Sequence, residues 1–487
     1  MARVPRANRL GPPVETRHVA LVGFMGAGKS AVGEDVARRI GRPFRDLDRE
    51  LETSLKTTIA QFFVDEGEAA FRTREAVATV EALRNPRRSV LALGGGAVTS
   101  AAVRDALREH AVTVLLEVDP GTAWDRVSES DRPLAQERAA FMALYEQRAP
   151  IYAEVADASA RDADDVVLAA AGIRVRRGAL EELGTLLLGA GPVELVADAH
   201  VLGIHGAVAQ LALGARLQAT HTVPAGEEAK SLAVCDRLWR ELSLDRTGTI
   251  VALGGGCTTD VAGFSAAAYL RGVAWAAVPT TLVGQVDAAI GGKTGIDLAS
   301  GKNLVGAFHW PVSTVIDPAL LATLPERERR SGLAEVVKTG LLAGEPLWVL
   351  SDPELVRRCA AYKAAVCLLD PYESGERAVL NLGHTFAHAL EAASGYTIPH
   401  GQAVALGLLA ALRLSGLEEE ARTVQELLAP KPLRADPERA WSALARDKKA
   451  VAGRPKLVLL EAPGRPKTGV ELPDEDVRRA LNSLIDG

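Results

Sequence analysis

The sequence predicts an α/β protein built on parallel sheets, with a helical region at its end. Three stretches predict it. Residues 23–30 read Gly-Phe-Met-Gly-Ala-Gly-Lys-Ser, a complete G-x-x-x-x-G-K-[ST] loop between a strand and a helix. From Gly191 strand and helix patterns alternate, and the apolar strand 249–253 runs into Gly254-Gly255-Gly256. From about residue 320 the pattern is helical, and three of the nine histidines, His384, His388 and His400, fall in one short stretch of it.

The totals set the frame. A chain of 487 residues is too long for one core and suggests about three domains. The expected boundaries are a disordered arm over 1–16, a P-loop domain over 17–172, a nucleotide-binding α/β domain over 173–319 and an all-helical metal and substrate domain over 320–487. The arm is basic and Pro-containing but lacks the apolar segment of a signal peptide. A net charge of −6 gives no basic field for nucleic acid or a membrane surface, so anionic substrates must be held by local Lys and Arg clusters. No apolar run reaches the ~18 residues a membrane span needs. Cys235, Cys257, Cys359 and Cys367 show no C-x-x-C spacing, which fits a reducing, cytoplasmic setting and argues against a cysteine zinc site.

In chain order, residues 18–22 read as a buried strand and 31–40 as the helix after the loop. The glycines of the loop let backbone N–H groups turn around phosphate oxygens. Lys29 reaches the β/γ-phosphates, and the Ser30 hydroxyl ligates Mg²⁺. In Phe44-Arg45-Asp46-Leu47-Asp48 the two acids alternate and are expected to share a face at a strand end. Beside a P-loop they suggest one acid for the metal and one to orient an acceptor hydroxyl. A second strand over 89–93 ends in Gly94-Gly95-Gly96, which allows close backbone approach to a ligand, and 112–118 is a third.

Residues 17–172 resemble shikimate kinase. The resemblance rests on the P-loop, Phe-x-Asp-x-Asp, Gly-Glu-x-x-Phe-Arg (67–72), the Gly-Gly-Gly turn, Arg132-Pro133-Leu134 and Gln-Arg-Ala-Pro-x-Tyr (147–152). It implies that Gly26, Gly28, Lys29 and Ser30 bind ATP, with Ser30 and Asp46 on Mg²⁺. Asp48 accepts the shikimate hydroxyl proton. Arg72 and Arg148 clamp the carboxylate, Gly95 and Gly96 line the substrate, and Arg132 reaches in from a lid. One departure is a shorter segment after Arg132.

From a boundary near residue 172, strands are expected over 172–176, 192–197 and 218–223, and a helix over 205–212. Residues 224–230 open a further helix. The strand 249–253 and its Gly turn place N–H groups at a helix N-terminus, a seat for a dinucleotide pyrophosphate. Later, Gln285-Val286-Asp287, Gly291-Gly292-Lys293-Thr294 and Gly301-Lys302-Asn303 set two lysines and an Asp near Gly turns, which suggests an anionic substrate beside the dinucleotide. In the last third, His384 and His388 share a helix face, Gly395 ends that helix, and the chain returns through Pro399 to His400. Imidazoles are frequent metal ligands, and a catalytic site takes three protein ligands. Glu335 is the candidate carboxylate, with Lys338 one turn on.

Residues 173–487 resemble 3-dehydroquinate synthase, on Gly-Glu-x-x-Lys, Gly-Gly-Gly…Asp, Pro-Thr-Thr-Leu, Gln-Val-Asp, Gly-Gly-Lys-Thr, Gly-Lys-Asn, Gly-Leu-Ala-Glu-x-x-Lys, Asn-x-Gly-His-Thr-x-x-His and Asp-Lys-Lys. The resemblance implies a Rossmann-like NAD-binding domain. It puts Zn²⁺ (or Co²⁺) on Glu335, His384 and His400. NAD falls to Ala225, Gly226, Glu227, Lys230, Gly256, Cys257, Thr258, Thr259, Asp260, Thr280, Thr281, Lys293, Lys302, Leu320 and Thr323. Lys293, Lys338 and His388 are implied catalytic groups, and Asp287, Asn303, Lys363, Arg377 and Asn381 surround the substrate. Arg271 comes from a second subunit, so a homodimer through this part is implied. Two departures are Thr259, where the family often has Gly, and Gln402, where Glu is usual and one charge near the metal is lost. Together the resemblances imply a fused enzyme of aromatic amino-acid biosynthesis that phosphorylates shikimate and forms 3-dehydroquinate. Two alternatives stay open in the sequence: a related sugar-phosphate cyclase in the second part, or a silent nucleotide-binding module in the first.

Overall fold

The computed structural model describes residues 14–128, 137–189, 191–299, 301–445 and 455–486. Arg132 and Asp447-Lys448-Lys449 lie outside these residues, as do residues 1–13 of the expected arm. Of the rest of that arm, Val14 is buried, and its carbonyl accepts from Arg42 at 2.8 Å. The chain divides into two compact units, one ending at Ile173 and the other starting at Arg174.

The first unit is a parallel sheet of β1 (His18–Val22), β2 (Phe44–Asp46), β3 (Val90–Ala92), β4 (Ala111–Leu116) and β5 (Ala158–Ala160), in the order β2-β3-β1-β4-β5. Every residue of β1 is buried, as expected of a strand covered by helices on both faces. The chain leaves β1 for one side of the sheet and returns to β4 on the other. The crevice at the carboxyl ends therefore opens beside β1, where the P-loop stands. Asp46 and Asp48 do not alternate along a strand. β2 stops at Asp46, which caps the helix Leu47–Leu55 by accepting from the Arg49 amide, and Asp48 lies in that helix's acidic first turn. Capping geometry and the helix dipole prevail over the alternation of a three-residue strand.

The second unit holds β6 (Ile173–Val175), β7 (Val193–Asp198), β8 (Leu217–Val223), β9 (Thr249–Gly254), β10 (Ala274–Pro279), an antiparallel hairpin of β11 (Lys293–Leu298) and β12 (Gly301–Phe308), and β13 (Ser313–Ile316). Its main sheet runs β6-β13-β10-β9-β7-β8, with parallel pairing of β7, β8, β9, β10 and β13. β9 is central, so its Gly254-Gly255-Gly256 end opens at the middle of the sheet. The helix expected to open at residues 224–230 starts later. A tight turn, Gly226–Ala229, comes first, and Ser231 then caps the helix Leu232–Glu241.

The remainder is helical around a core centred on His384–Ala393 and His400–Leu414, packed with Glu326–Ala343 and Glu418–Leu428. It is not wholly helical. β14 (Leu433–Arg434) pairs with β17 (Ile485–Asp486), and β15 (Leu457–Ala462) pairs with β16 (Arg465–Val470). The helices that carry His384 and His400 cross at a glycine. A Cβ on Gly407 would fall 2.1 Å from the Gly383 carbonyl oxygen. Among the described residues, no helix is long and apolar enough to cross a membrane.

Candidate active sites

In the first unit, a cavity of about 1020 Å³ is lined by Gly26, Gly28, Lys29 and Ser30, by Asp46 and Asp48, and by Arg72, Gly95, Gly96 and Arg148. Gly26 and Gly28 hold positive φ (82° and 89°), a loop conformation that costs glycine little. Lys29 folds back over the loop and donates to the Gly23 and Phe24 carbonyls at 2.8 and 3.2 Å. The Ser30 hydroxyl donates to Asp46 Oδ2 at 2.5 Å, so the two expected Mg²⁺ groups are together. Arg72 donates to Glu75 at 2.7 Å and to Glu68 at 3.0 Å, with its guanidinium over the Phe63 and Phe71 rings. A Cβ on Gly96 would sit 1.9 Å from Arg72 Nη1, so the Gly turn makes room for that cation. Burial pushes the Glu75 carboxyl up, even with Arg72 beside it.

In the second unit, Glu335, His384 and His400 present one ligand atom each, all within 4.8 Å of one another. Glu335 is fully buried on the Glu326–Ala343 helix. Its Oε1 lies 3.2 Å from His400 Nε2 and 3.5 Å from His384 Nε2. The other ring nitrogens are engaged: His400 Nδ1 with Glu391 at 2.9 Å, His384 Nδ1 with the Leu382 carbonyl at 3.2 Å. Both imidazoles thus turn Nε2 to the carboxylate, as metal-binding histidines do. The donor set fits a zinc-type ion with an open position. Burial works against the charge on Glu335, but Lys338 and His384 hold its carboxyl well below the usual range.

A run of charges leads away from these three groups. Lys338 Nζ lies 2.5 Å from Glu335 and 3.5 Å from Asp287, and Lys363 Nζ lies 2.8 Å from Asp287. Against its burial, the two lysines keep Asp287 ionised, down to about 2. Arg377, 1% exposed, donates to the Gly291 carbonyl at 3.0 Å. Lys293 pairs with Glu373 at 2.6 Å, Asn381 donates to the Ala378 carbonyl, and the His388 ring stands 5.7 Å from that of His384.

Beside the Gly254–Gly256 turn, Lys230 meets Asp260 at 2.8 Å and also contacts Asn303, and Lys302 meets Glu227 at 2.8 Å. Thr280 donates its amide to the Gly254 carbonyl, and the Thr281 hydroxyl accepts from the Gly284 amide. Gly256, Cys257, Thr258 and Thr259 form the first turn of the helix Gly256–Ala268. Ala225 precedes the turn that carries Gly226. Leu320 is buried, and Thr323 meets His205 at 3.0 Å. Arg271 is set apart, exposed at the positive-φ end of the turn Tyr269–Arg271.

Residues 220–331 match the 3-dehydroquinate synthase N-terminal family and 332–450 its C-terminal family. A 3-dehydroquinate synthase of Gloeobacter violaceus is 44% identical over 346 residues, 64% of this chain and 96% of that protein. The chain belongs to the 3-dehydroquinate synthase family. A second synthase, from Symbiobacterium thermophilum, is 40% identical over 374 residues, 70% of this chain and 99% of that protein. Ahead of the synthase part, residues 25–172 match shikimate kinase, and the protein joins that kinase to the synthase. Among solved structures, 2-deoxy-scyllo-inosose synthase with carbaglucose-6-phosphate, NAD⁺ and Co²⁺ is 25% identical (TM-score 0.58, 64% of this chain and 96% of that one). A 2-epi-5-epi-valiolone synthase of Streptomyces hygroscopicus with NAD⁺ and Zn²⁺ is 26% identical (TM-score 0.57, 64% and 96%).

Both departures of the synthase part have local explanations. Gln402 donates its amide to the Lys431 carbonyl at 3.0 Å, and the carboxylate beside the metal triad is Glu391. Thr259 folds back on its own turn and donates to the Gly256 carbonyl at 2.9 Å. Three groups stand at the sites without a motif to mark them. Glu391 supports His400, and Glu75 supports Arg72. Arg126 donates to the P-loop carbonyl of Gly26 at 3.0 Å. Glu75 alone had a sequence signal, three residues after Arg72 on one helix face.

Proposed function

We propose that the synthase reaction is the conversion of 3-deoxy-arabino-heptulosonate 7-phosphate to 3-dehydroquinate and phosphate, run by Glu335, His384 and His400 on Zn²⁺ with NAD at the β9 turn. The observation that carries this is the metal triad opening directly onto the Lys338–Asp287–Lys363 run. When bound, the metal would polarise the reacting alcohol and NAD would take and return a hydride. The chain supplies the rest. Asp287 and Glu335 outweigh burial and hold Lys338 protonated beside the triad. Lys293, Lys363 and Arg377 give cations for a phosphate and a carboxylate at once, which a dehydrogenase without those groups has no use for. Glu227, Lys230 and Asp260 hold the cofactor side, and Arg271 serves a partner copy in a homodimer.

In the kinase domain the P-loop and Lys29 hold ATP, and Ser30 and Asp46 hold Mg²⁺. Asp48 takes the proton from the shikimate hydroxyl, while Arg72 and Arg148 grip its carboxylate through paired N–H bonds. Residues 17–172 form the kinase, 173–319 the NAD domain and 320–487 the metal domain of a cytoplasmic enzyme. The deciding experiment measures phosphate release from the heptulosonate phosphate with NAD present, before and after chelation. Loss on chelation and restoration by Zn²⁺ is expected. Equal turnover of a sugar phosphate lacking the carboxylate would instead make the synthase part a related cyclase.

A further inference from the structure

Two side chains of the kinase domain converge on one backbone carbonyl. The Tyr152 hydroxyl donates to the Gly95 oxygen at 2.5 Å, and Arg148 Nη1 donates to the same oxygen at 3.3 Å. Both residues come from the helix Arg138–Val155, four apart and so one above the other on a single face. Both are buried, Arg148 6% and Tyr152 3% exposed. The bonds differ in kind. The phenol's is short and the guanidinium's is at the long end of hydrogen bonding, so Tyr152 is the main donor to Gly95 and Arg148 only leans on it. Gly95 and Arg148 both line the cavity; Tyr152 does not.

We propose that Tyr152 is a positioning residue of the kinase reaction: by carrying the main bond to the Gly95 carbonyl it leaves the remaining N–H groups of Arg148 for the substrate carboxylate. The inference rests on the assignment of Arg148 and Gly95 to the shikimate site. The physical reason is the cost of a part-buried acceptor left short of donors. Without the hydroxyl, the side-chain donor left on Gly95 is Arg148 itself. Drawn inward to that oxygen, the guanidinium gives up one of the two parallel N–H bonds by which arginine holds a carboxylate. Burial also pushes the phenol up to about 12, so its proton stays in place across the neutral range.

The test uses the full chain and Tyr152→Phe, which removes one oxygen and keeps the ring. Shikimate KM, and its Kd by calorimetry, should rise about five- to tenfold, the effect of one lost hydrogen bond. KM for ATP and phosphate release by the synthase part should not move. In an Arg148→Lys background the same change should cost much less, because the paired clamp is already gone. A ring packing role alone would leave shikimate KM unchanged in Tyr152→Phe, or would weaken ATP and shikimate alike; either result overturns the proposal. Should Tyr152→Phe not fold, a ring-fluorinated tyrosine at 152 keeps the shape and makes the phenol more acidic. Shikimate affinity should then fall at the pH where that phenol ionises, and a flat profile overturns the proposal. A wild-type chain that neither binds nor phosphorylates shikimate overturns the site assignment and this inference together. A wild type that does both, beside an unaltered Tyr152→Phe, overturns only the inference.

Discussion

His400 carries a carboxylate at each ring nitrogen, Glu391 at 2.9 Å and Glu335 at 3.2 Å. Against its burial, the two acids draw the ring's protonation up to about 10. Glu391, 5% exposed, holds Nδ1 and so aims Nε2 at the triad. Glu391→Ala should therefore weaken zinc binding by roughly 10- to 100-fold, and Glu391→Gln, which keeps an acceptor, by less. Competition against a chromophoric chelator reads this directly; equal affinities in all three proteins would remove Glu391 from the site. In the kinase domain the matching single residue is Asp48. On the proposed role as general base, Asp48→Asn should lower kcat by about 10² to 10⁴ with ATP affinity kept, measured by ADP release. Legibility differed sharply between such residues. Lys29, Asp48, His384 and Glu335 stood in motifs whose spacing carries chemistry. Glu391 and Arg126 did not: Glu391 meets His400 across the break between two consecutive helices, and Arg126 meets a loop far back in the chain, and neither contact leaves a local pattern.

Elements set how rigidly these residues are held. The hairpin β11–β12 reaches the cofactor side through Lys302 and Asn303, while Lys230 comes from the turn before Ser231 and Asp260 from the helix after β9. Burial pushes the Asp260 carboxyl up to about 6, with Lys230 pulling against it. Below that pH Asp260 takes a proton and loses its ion pair with Lys230. NAD affinity should then fall as pH drops through about 6, and Asp260→Asn should abolish that limb in a fluorescence titration. At the crossing of the metal helices, Gly407→Ala places a methyl 2.1 Å from the Gly383 carbonyl, one residue before His384. The helices must part, so the synthase part should lose about 1–3 kcal/mol in denaturant unfolding and bind zinc more weakly. Elements of clear period, such as β1 and the helix of His384, could be read from the chain. Asp46 could not, since a cap and a strand residue look alike until the helix behind it is known. Pieces as short as β14 and β17, two residues each, carry no period at all.

At the scale of the molecule, each described core cluster belongs to one unit. One spans Ala20 to Val155, and the others lie between Ala179 and Leu484. The two groups of site residues divide the same way, with the cavity of the P-loop in the first unit and the metal triad in the second. This partition was legible because each half carries its own complete set of motifs, whereas the join near residue 172 offers only a composition change. A ligand stabilises what it binds, by about 2.7 kcal/mol at a hundredfold excess over Kd, and has no direct effect on a core that unfolds separately. Calorimetry of the full chain should therefore show two unfolding transitions. Zinc with NAD should raise one of them, and shikimate with a non-hydrolysable ATP analogue and Mg²⁺ the other. His384→Ala should cancel the first shift and leave the second intact. If either ligand set moves both transitions together, the two units unfold as one cooperative body, and loss of a core residue in the kinase domain would then cost the synthase its stability as well.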